Sequence, residues 1–466
     1  MEKKSSFKFY IALYMSKFTK NVLHFLSKFT KLNGSHFPGN LAIKICPDFL
    51  SMVAKPKTII AVTGTNGKTT TSNLIIDSLE RSGYKVLNNR IGSNILGGVT
   101  TTLFNGVSLG NKSKYDIAVL EVDEKSTPKI FKHVTPTYLV VTNLFRDSLK
   151  RNAHSEYIFD LINNVIPDST TLILNADDLI SNKMKAENSN KKVFFGISEL
   201  DSDTKESINI VNDARICPIC YSKLKYNFVR YHHIGQAYCE NCNYKSPEAN
   251  YLVTKVDYAN NKISVSYDNK EIEYKMISDS IFNIYNQIAT ITVLKELGIK
   301  DEEIQNNFND MEITKDRVKI DEIGNYKIIN HLAKGQNPIA CSIVFKYIKE
   351  RKGSKEIILL LEDYHDNKES SENTAWFYDC DFEFLNDDSI KKIIVPGVIA
   401  KDIALRLLLA GIDKDKIVVL NDEHQVAQNL SYDENNEIII LYDMYQRAAV
   451  ETINTEIRNK IENKNK

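Results

Sequence analysis

The most informative residues form a short run containing two glycines, from Val62 to Thr70, with the sequence VTGTNGKTT. A loop that holds a triphosphate needs glycines where the backbone approaches oxygens, a lysine for the β- and γ-phosphates and a hydroxyl on Mg²⁺. The spacing GxxGKT is shorter than the common pattern GxxxxGK[ST], yet it supplies each of these groups and predicts an ATP-binding loop. The residues expected to bind the nucleotide here are Gly64, Thr65, Asn66, Gly67, Lys68, Thr69 and Thr70.

Magnesium also requires a carboxylate close to this loop, because Mg²⁺ takes hard oxygen ligands. The run DIAVLE reads as a buried strand that ends in Glu121. We therefore predict Thr69 and Glu121 as the magnesium ligands. Asp123 and Glu124 are alternatives, and a solvated acidic turn would have the same composition.

Four of the seven cysteines form two Cys-x-x-Cys pairs separated by 18 residues. The pairs are Cys217 with Cys220 and Cys239 with Cys242. This spacing is typical of a zinc ribbon, in which four thiolates surround Zn²⁺ and leave no open position, so the metal is predicted to be structural. A redox dithiol would need a thioredoxin-like setting that the sequence does not contain. His232 and His233, which lie between the pairs, are expected to be surface residues.

The elements that position these groups are those of an α/β fold. A buried strand is predicted at 57–62, before the loop, and a helix at 70–82, after it. Further apolar runs at 117–122, 137–142 and 171–174 predict a parallel sheet covered by helices. The cysteine-rich module interrupts this rhythm. Alternating strands follow at 250–274 and a helix at 280–297, and later strands are expected at 357–361, 393–395, 417–420 and 438–441.

These patterns predict an N-terminal helical segment (1–50), a central ATP-binding domain (51–315) and a C-terminal α/β domain (316–466). The zinc ribbon is expected as an insertion at about 214–250 in the central domain. The opening Met1 to Lys31 reads as a basic amphipathic helix, which we expect to pack on its own domain, with contact to a membrane surface as the alternative.

Composition restricts the function classes. The chain has 466 residues, 42% of them apolar, which is enough for more than one core. Lys and Arg together number 60, as do Asp and Glu, so no net field attracts nucleic acid, and no nucleic-acid partner is predicted. No apolar run has the length of a membrane span, so a cytoplasmic protein is expected.

Several motifs resemble those of a known family. Residues 61–71 resemble the ATP loop of Mur ligases, and the run SIFNIYN at 280–286 resembles their adenine-side motif. Together with the four-cysteine insertion, the runs TNLFRD at 142–147 and WFYDCDFE at 376–383 are similar to the MurT family, the synthetase subunits of lipid II isoglutaminyl synthase. The similarity extends from Phe37 to Tyr445.

The resemblance implies a Mur ligase-like fold and a specific reaction. ATP phosphorylates the α-carboxylate of the D-glutamate in lipid II, and a GatD-like glutaminase partner supplies ammonia to form D-isoglutamine. Carried over by position, Lys68 and Glu121 are catalytic, and Asn283 and Asn286 lie near the nucleotide. The residues expected to face the reacting carboxylate are Asn143, Arg146 and Asp147.

In such families an acidic residue of the last domain supports the partner's catalytic Cys and His. Asp379 is the candidate here, with Asp381 and Asp363 as alternatives, or these acids only cap turns. Cys380 is expected to be structural, because adjacent carboxylates raise a thiol pKa. The chain departs from the family at 373–376, where it has Asn-Thr-Ala-Trp and the family usually has Asp-x-Ser-Trp.

Two other functions fit parts of the sequence. One is a stand-alone Mur-type or polyglutamate-type ligase that joins an amino acid without a glutaminase. The other is a non-catalytic module that binds nucleotide through the loop and nucleic acid through the ribbon. The modest basic set in the ribbon, Lys223, Lys225 and Arg230, disfavours the second.

Overall fold

The computed structural model describes residues 7–27, 36–147, 154–311, 318–333, 337–361, 374–433, 436–443 and 446–464. Its contacts divide the chain into two compact units. The first comprises Met1–Phe145, Ser155–Ile208 and Asn212–Ile313. The second comprises Arg146–His154, Asn209–Val211 and Thr314–Lys466.

The first unit is built on a large sheet that places several strand ends at one edge. The strands of this unit are β1 (Thr58–Thr63), β2 (Val86–Asn88), β3 (Ile117–Glu121), β4 (Tyr138–Val141), β5 (Thr171–Asn175), β6 (Lys192–Ile197), β7 (Lys225–Tyr231), β8 (Ile234–Tyr238), β9 (Tyr251–Asp257), β10 (Lys262–Tyr267) and β11 (Lys270–Lys275), and all except β7 and β8 belong to the large sheet. In the described residues the sheet has the order β11-β10-β9-β6-β5-β4-β1-β3-β2, parallel from β2 to β9, with β10 and β11 antiparallel. The predicted α/β class is confirmed. Because β1 lies between β3 and β4, the strand order reverses at β1, the point where such sheets bind ligands.

The helices of the first unit cover this sheet. They are α1 (Phe7–Ser27), α2 (Phe37–Ile45), α3 (Phe49–Met52), α4 (Lys68–Arg81), α5 (Leu96–Asn105), α6 (Thr127–Phe131), α7 (Ser155–Asn163), α8 (Ile281–Glu296) and α9 (Asp301–Asn309). Phe9, Ala42 and Phe49 lie in the same apolar core as Ile59 and Leu120, so the first three helices are built into this unit. None of the helices in the described ranges is both long and apolar enough to span a bilayer.

The cysteine-rich segment forms a small module of its own. Strands β7 and β8 pair as an antiparallel hairpin. Single bridges between Ile216 and Lys223 and between Tyr238 and Lys245 close the two Cys-x-x-Cys turns. Two more bridges, Asp178 to Ile234 and Thr204 to Val229, join the hairpin to the rest of the unit.

The second unit is also α/β. Its strands are β12 (Val318–Ile323), β13 (Tyr326–Leu332), β14 (Ser354–Leu360), β15 (Ile390–Pro396), β16 (Ile417–Leu420) and β17 (Asn436–Tyr442). Its helices are α10 (Pro338–Glu350), α11 (Ala400–Leu409), α12 (Val426–Asn429) and α13 (Arg447–Lys464). The strand order is β12-β13-β17-β14-β15-β16, and β12 is antiparallel to its neighbour. Separate apolar clusters, one including Phe345 and Trp376 and one including Ile453 and Ile457, form its cores.

Candidate functional site

The glycine-containing loop connects β1 to α4, and its shape depends on both glycines. Gly64 has φ +127° and Gly67 has φ +85°, which L side chains rarely adopt. A Cβ atom on Gly64 would lie 2.3 Å from the hydroxyl of Thr142, and one on Gly67 would lie 2.3 Å from Oδ1 of Asn286. Helix α4 begins at Lys68, so the free N–H groups of its first turn follow the loop directly. This is the geometry of an anion-binding loop.

The segment after β4 holds the loop in place. The side chain of Asn143 accepts a hydrogen bond from the backbone N–H of Asn66 at 3.0 Å and donates one to its carbonyl at 3.0 Å. Thr142 donates to the same carbonyl at 2.6 Å. The N–H of Thr65 donates to the carbonyl of Asn143, and its hydroxyl accepts from the N–H of Phe145 at 2.9 Å. Asn143, which the resemblance places at the reacting carboxylate, thus contacts the loop itself.

Lys68 is the charged centre of the loop. Its ammonium donates to the carbonyl of Gly64 and to Oε1 of Glu124 at 2.8 Å. Glu124 is only 2% exposed, so the pair is shielded from water. Glu124, one of the alternative magnesium ligands, is therefore the partner of Lys68 in this structure. The sequence offered no sign of that pairing, because the two residues are on different strand-end segments.

The predicted magnesium ligands lie at the same edge of the sheet. Glu121 pairs in register with Val62, which places it beside the loop, and its Oε1 accepts a hydrogen bond from Asn94 at 2.9 Å. Thr69 is exposed on the first turn of α4. Asp123 instead caps the following turn by accepting from the N–H of Lys125. A half-buried carboxylate and an exposed hydroxyl are donors that suit a hydrated Mg²⁺.

Helix α8 places both predicted asparagines in its first two turns. Asn286 Oδ1 accepts from the hydroxyl of Thr71 at 3.2 Å, which brings α8 against α4 just behind the loop. The amide of Asn286 donates to Asn283, whose own amide donates to Ser278 at 3.0 Å. The structure therefore brings this predicted pair to the loop predicted from a distant part of the sequence.

The sulfurs of Cys217, Cys220, Cys239 and Cys242 lie within 4.8 Å of one another. The closest approaches are between the two pairs, at 3.5 Å for Cys217 and Cys242 and 3.4 Å for Cys220 and Cys239. In a tetrahedral zinc site with Zn–S bonds of about 2.3 Å, the sulfurs are about 3.8 Å apart. The donor set and its spacing are compatible with a closed zinc site.

The expectation that His232 and His233 are surface residues is wrong, since both are almost fully buried. They form the turn between β7 and β8, and this turn folds onto the body of the unit. Nε2 of His233 lies 3.2 Å from Oδ1 of Asp178, and the His233 ring lies 4.5 Å from that of Phe145. His233 is buried because it contacts the buried carboxylate of Asp178, which is far away in the sequence. The spacing of the cysteines and histidines gave no indication of this contact.

Two buried acids after β5 were missed by the sequence analysis. Asp177 accepts from the hydroxyl of Tyr285 at 2.7 Å and lies 3.4 Å from Arg230, which also pairs with Asp203. Burial raises the pKa of Asp177, although Arg230 and the Tyr285 hydroxyl partly oppose it. The sequence did contain an indication that these two acids lie near the site, because they follow the strand β5 closely, much as Glu121 stands at the end of β3.

Asp178 connects the ribbon to the segment that holds the loop. Its Oδ2 accepts the N–H of Leu144 at 2.8 Å, and its Oδ1 faces His233. Burial acts to raise its pKa, but the contacts with His233 and Ser181 outweigh burial and lower it. Because Leu144 precedes Phe145, which bonds to Thr65, a continuous set of contacts links the β7–β8 hairpin to the glycine-containing loop.

The second unit contains the remaining candidates. Arg146 and Asp379, predicted for different steps, form an ion pair at 2.9 Å, and both side chains are partly exposed. Asp381 is buried and accepts from Asn209 at 2.8 Å and from the N–H of Ile210 at 2.7 Å. Asp147 is also buried. Asp363 and Asn373 lie outside the described residues.

Cys380 is fully buried, as expected of a structural cysteine. Its thiol pKa is raised, mainly by burial, with Cys341 and Asp381 adding to the effect. The predicted direction is confirmed, but the main cause is burial and not the adjacent carboxylates.

Comparisons with known proteins agree with this architecture. Residues 62–243 match the model of the Mur ligase middle domain, and residues 334–446 match that of the MurT ligase C-terminal domain. The chain is 31% identical to the lipid II isoglutaminyl synthase (glutamine-hydrolyzing) subunit MurT of Staphylococcus aureus (strain COL), covering 90% of this chain and 92% of the relative. It is 30% identical to the corresponding subunit of Streptococcus pneumoniae (strain ATCC BAA-255 / R6), covering 88% and 89%.

Among solved structures, a pseudomurein peptide ligase type C from Methanothermus fervidus is similar, with a TM-score of 0.65 and 22% identity. The match covers 89% of this chain and 84% of that one. At this identity the likeness shows a shared fold.

Proposed function

The chain belongs to the MurT family of Mur ligase-like proteins, and from that membership we propose how its residues carry out the amidation of lipid II. The protein is an ATP-dependent ligase, the synthetase subunit of a lipid II isoglutaminyl synthase. The observation that carries the detailed proposal is the loop from Gly64 to Lys68. Its two glycines have φ values that other residues rarely adopt, and helix α4 begins directly after it, at the switch point of the sheet.

The reaction begins with the α-carboxylate of D-glutamate. One carboxylate oxygen attacks the γ-phosphorus of ATP, the bond to the bridging oxygen breaks, and ADP leaves with its electron pair. Ammonia then attacks the carbonyl carbon of the acyl phosphate, phosphate leaves, and the nitrogen loses a proton. A carboxylate resists this attack until one oxygen has become a good leaving group, which is why ATP is needed.

Residues of the glycine-containing loop and of the neighbouring strand ends have a role in each step. The ammonium of Lys68 neutralises the β- and γ-phosphates, and the backbone N–H groups of the loop and of α4 hold their oxygens. Thr69 and Glu121 would hold Mg²⁺, which when bound would neutralise charge at the transferring phosphate. Asn283 and Asn286 lie on the nucleotide side of α8.

Asp379 is the residue proposed to support a GatD-like glutaminase partner, by orienting the partner's catalytic histidine. Asp379 is partly exposed and forms an ion pair with Arg146. Asp381 is buried and already accepts two hydrogen bonds, so Asp379 is favoured. The two side chains are 32% and 30% exposed, so water screens the attraction between them in part. Asp379 can therefore exchange Arg146 for another cation at little cost.

We further propose that the four cysteines bind Zn²⁺ as a structural ion. Four thiolate ligands leave no position for substrate, and the segment has only a small apolar cluster of its own. The protein would act next to the membrane, where the lipid-linked substrate resides.

Ammonium ions test the division of labour between the two subunits. The chain alone, given ATP, lipid II and a high concentration of ammonium chloride at alkaline pH, is expected to form the amide without glutamine, because free ammonia bypasses the glutaminase. The product is measured by mass spectrometry. If the chain forms no amide from ammonia but joins an amino acid to lipid II when a mixture of amino acids is added, the stand-alone ligase is supported instead.

A further inference from the structure

Helix α1 has two apolar faces, one buried in the first unit and one whose side chains are exposed. Phe9, Ala12, Leu13 and Ser16 form the inner face and are fully buried. The outer face consists of Phe7, Tyr14, Met15, Phe18, Val22, Phe25 and Leu26, all exposed. Its three phenylalanines are 81%, 70% and 61% exposed. Their spacing follows the helical repeat, so they form one stripe along a helix of about 30 Å.

The charged residues of α1 itself are all of one sign. The stretch from Phe7 to Ser27 contains Lys8, Lys17 and Lys20 and no Asp or Glu. Burial, and then the neighbouring charges of Lys114 and Lys20, lower the pKa of Lys17.

A turn in the same unit extends the surface. The hydroxyl of Tyr14 donates to the carbonyl of Leu109 at 3.4 Å, and Lys17 donates to the carbonyl of Val107 at 2.9 Å. Leu109 is 63% exposed and is followed by the exposed Lys112 and Lys114. The outer face of α1 and the turn at 107–114 thus combine exposed apolar side chains with four lysines, Lys8 and Lys17 at the edges of the helix face and these two.

We propose that this surface, the outer face of α1 with the turn at 107–114, docks on an anionic lipid bilayer. An amphipathic helix with aromatic and aliphatic side chains flanked by lysines binds in the interface of such a bilayer without crossing it. A protein partner could bury the same apolar stripe, but lysines on both the helix and the turn favour a surface of uniform negative charge. The inference rests on the proposed function for its purpose, because docking brings the enzyme to a lipid-linked substrate.

Vesicle sedimentation tests this directly with the full, zinc-loaded chain. Binding is expected to vesicles of phosphatidylglycerol and phosphatidylcholine, to weaken with added salt, and to be minimal on phosphatidylcholine alone. Phe18→Asp combined with Phe25→Asp is expected to reduce binding at least about tenfold. The matched control is Leu409→Asp on α11, which also places an acid at an exposed leucine and should bind as the unmodified chain does.

Absence of binding to anionic vesicles, with an unchanged circular dichroism spectrum and normal ATP binding, would overturn the proposal. Binding that requires lipid II in the vesicles, or loss of partner co-purification in the double variant without any vesicle binding, would do so too. Amidation of lipid II in detergent micelles separates the two claims. If the double variant still amidates lipid II in micelles, the proposed function is supported regardless of the result with vesicles. If the unmodified chain does not amidate lipid II in micelles, the proposed function is contradicted while the docking proposal is not.

Discussion

Replacing Lys68 with alanine is expected to lower the rates of ATP hydrolysis and of amidation by roughly a hundredfold to a thousandfold. The lysine ammonium is the one side-chain charge that the loop offers to the transferring phosphate in our account, and alanine removes it. Steady-state release of phosphate in the presence of lipid II, glutamine and the glutaminase measures the effect. Lys57→Ala, at the opposite end of β1, is the matched control and should remain active.

The variant has a structural side effect that must be separated from the chemical one. Removing Lys68 leaves the buried carboxylate of Glu124 without its partner, which destabilises a fold by about 3 kcal/mol or more. The double variant Lys68→Ala with Glu124→Gln removes that unpaired charge and should recover much of the lost thermal stability while staying inactive. If the double variant were both stable and active, Lys68 would not be the phosphate-binding residue.

Replacing Cys239 with serine is expected to abolish stoichiometric zinc binding and to lower the Tm of the first unit by about 10 °C or more. The loss should spread beyond the ribbon. The hairpin carries His233 to Asp178, and Asp178 holds Leu144, whose neighbour Phe145 bonds to the phosphate loop. Affinity for ATP is therefore expected to fall as well.

Atomic absorption for zinc, differential scanning calorimetry and titration with a non-hydrolysable ATP analogue measure these three effects. The control is Glu240→Ala, because Glu240 is exposed and lies between two of the cysteines. This variant should keep the zinc content, the Tm and the affinity for ATP unchanged. A Cys239→Ser chain that keeps one zinc per chain, or that loses zinc with no change in Tm, would contradict a structural metal at this site.

Local sequence patterns predicted much of the fold, because strands buried on both faces read as continuous apolar runs. The strands at β1, β3, β4 and β5 and the helix α8 lie within a residue or two of their predicted bounds. The three-residue β2 is too short to leave a pattern, and β12 alternates charged and apolar residues at a sheet edge, so neither was recognised.

Within the site, the sequence revealed residues whose type and spacing define a chemistry but not their partners. The glycines, Lys68 and the four cysteines belong to motifs, and each motif is contiguous or nearly so. The pairing of His233 with Asp178 and of Lys68 with Glu124 depends on which strand ends meet, which only the folded sheet determines. The same is true of Asn143, whose contact with the loop needs β4 to lie beside β1.

The most direct test of the account is to follow the amide nitrogen. The chain and a glutaminase partner are incubated with ATP, lipid II and glutamine labelled with ¹⁵N in its side-chain amide, and the product is analysed by fragmentation in a mass spectrometer. We expect the label on the α-carboxamide of the D-glutamyl residue, with one ADP formed per amide and no amide formed when neither glutamine nor ammonium is present. An amide without the label, or the joining of an added amino acid to lipid II in a parallel reaction without glutamine, would contradict the central claim.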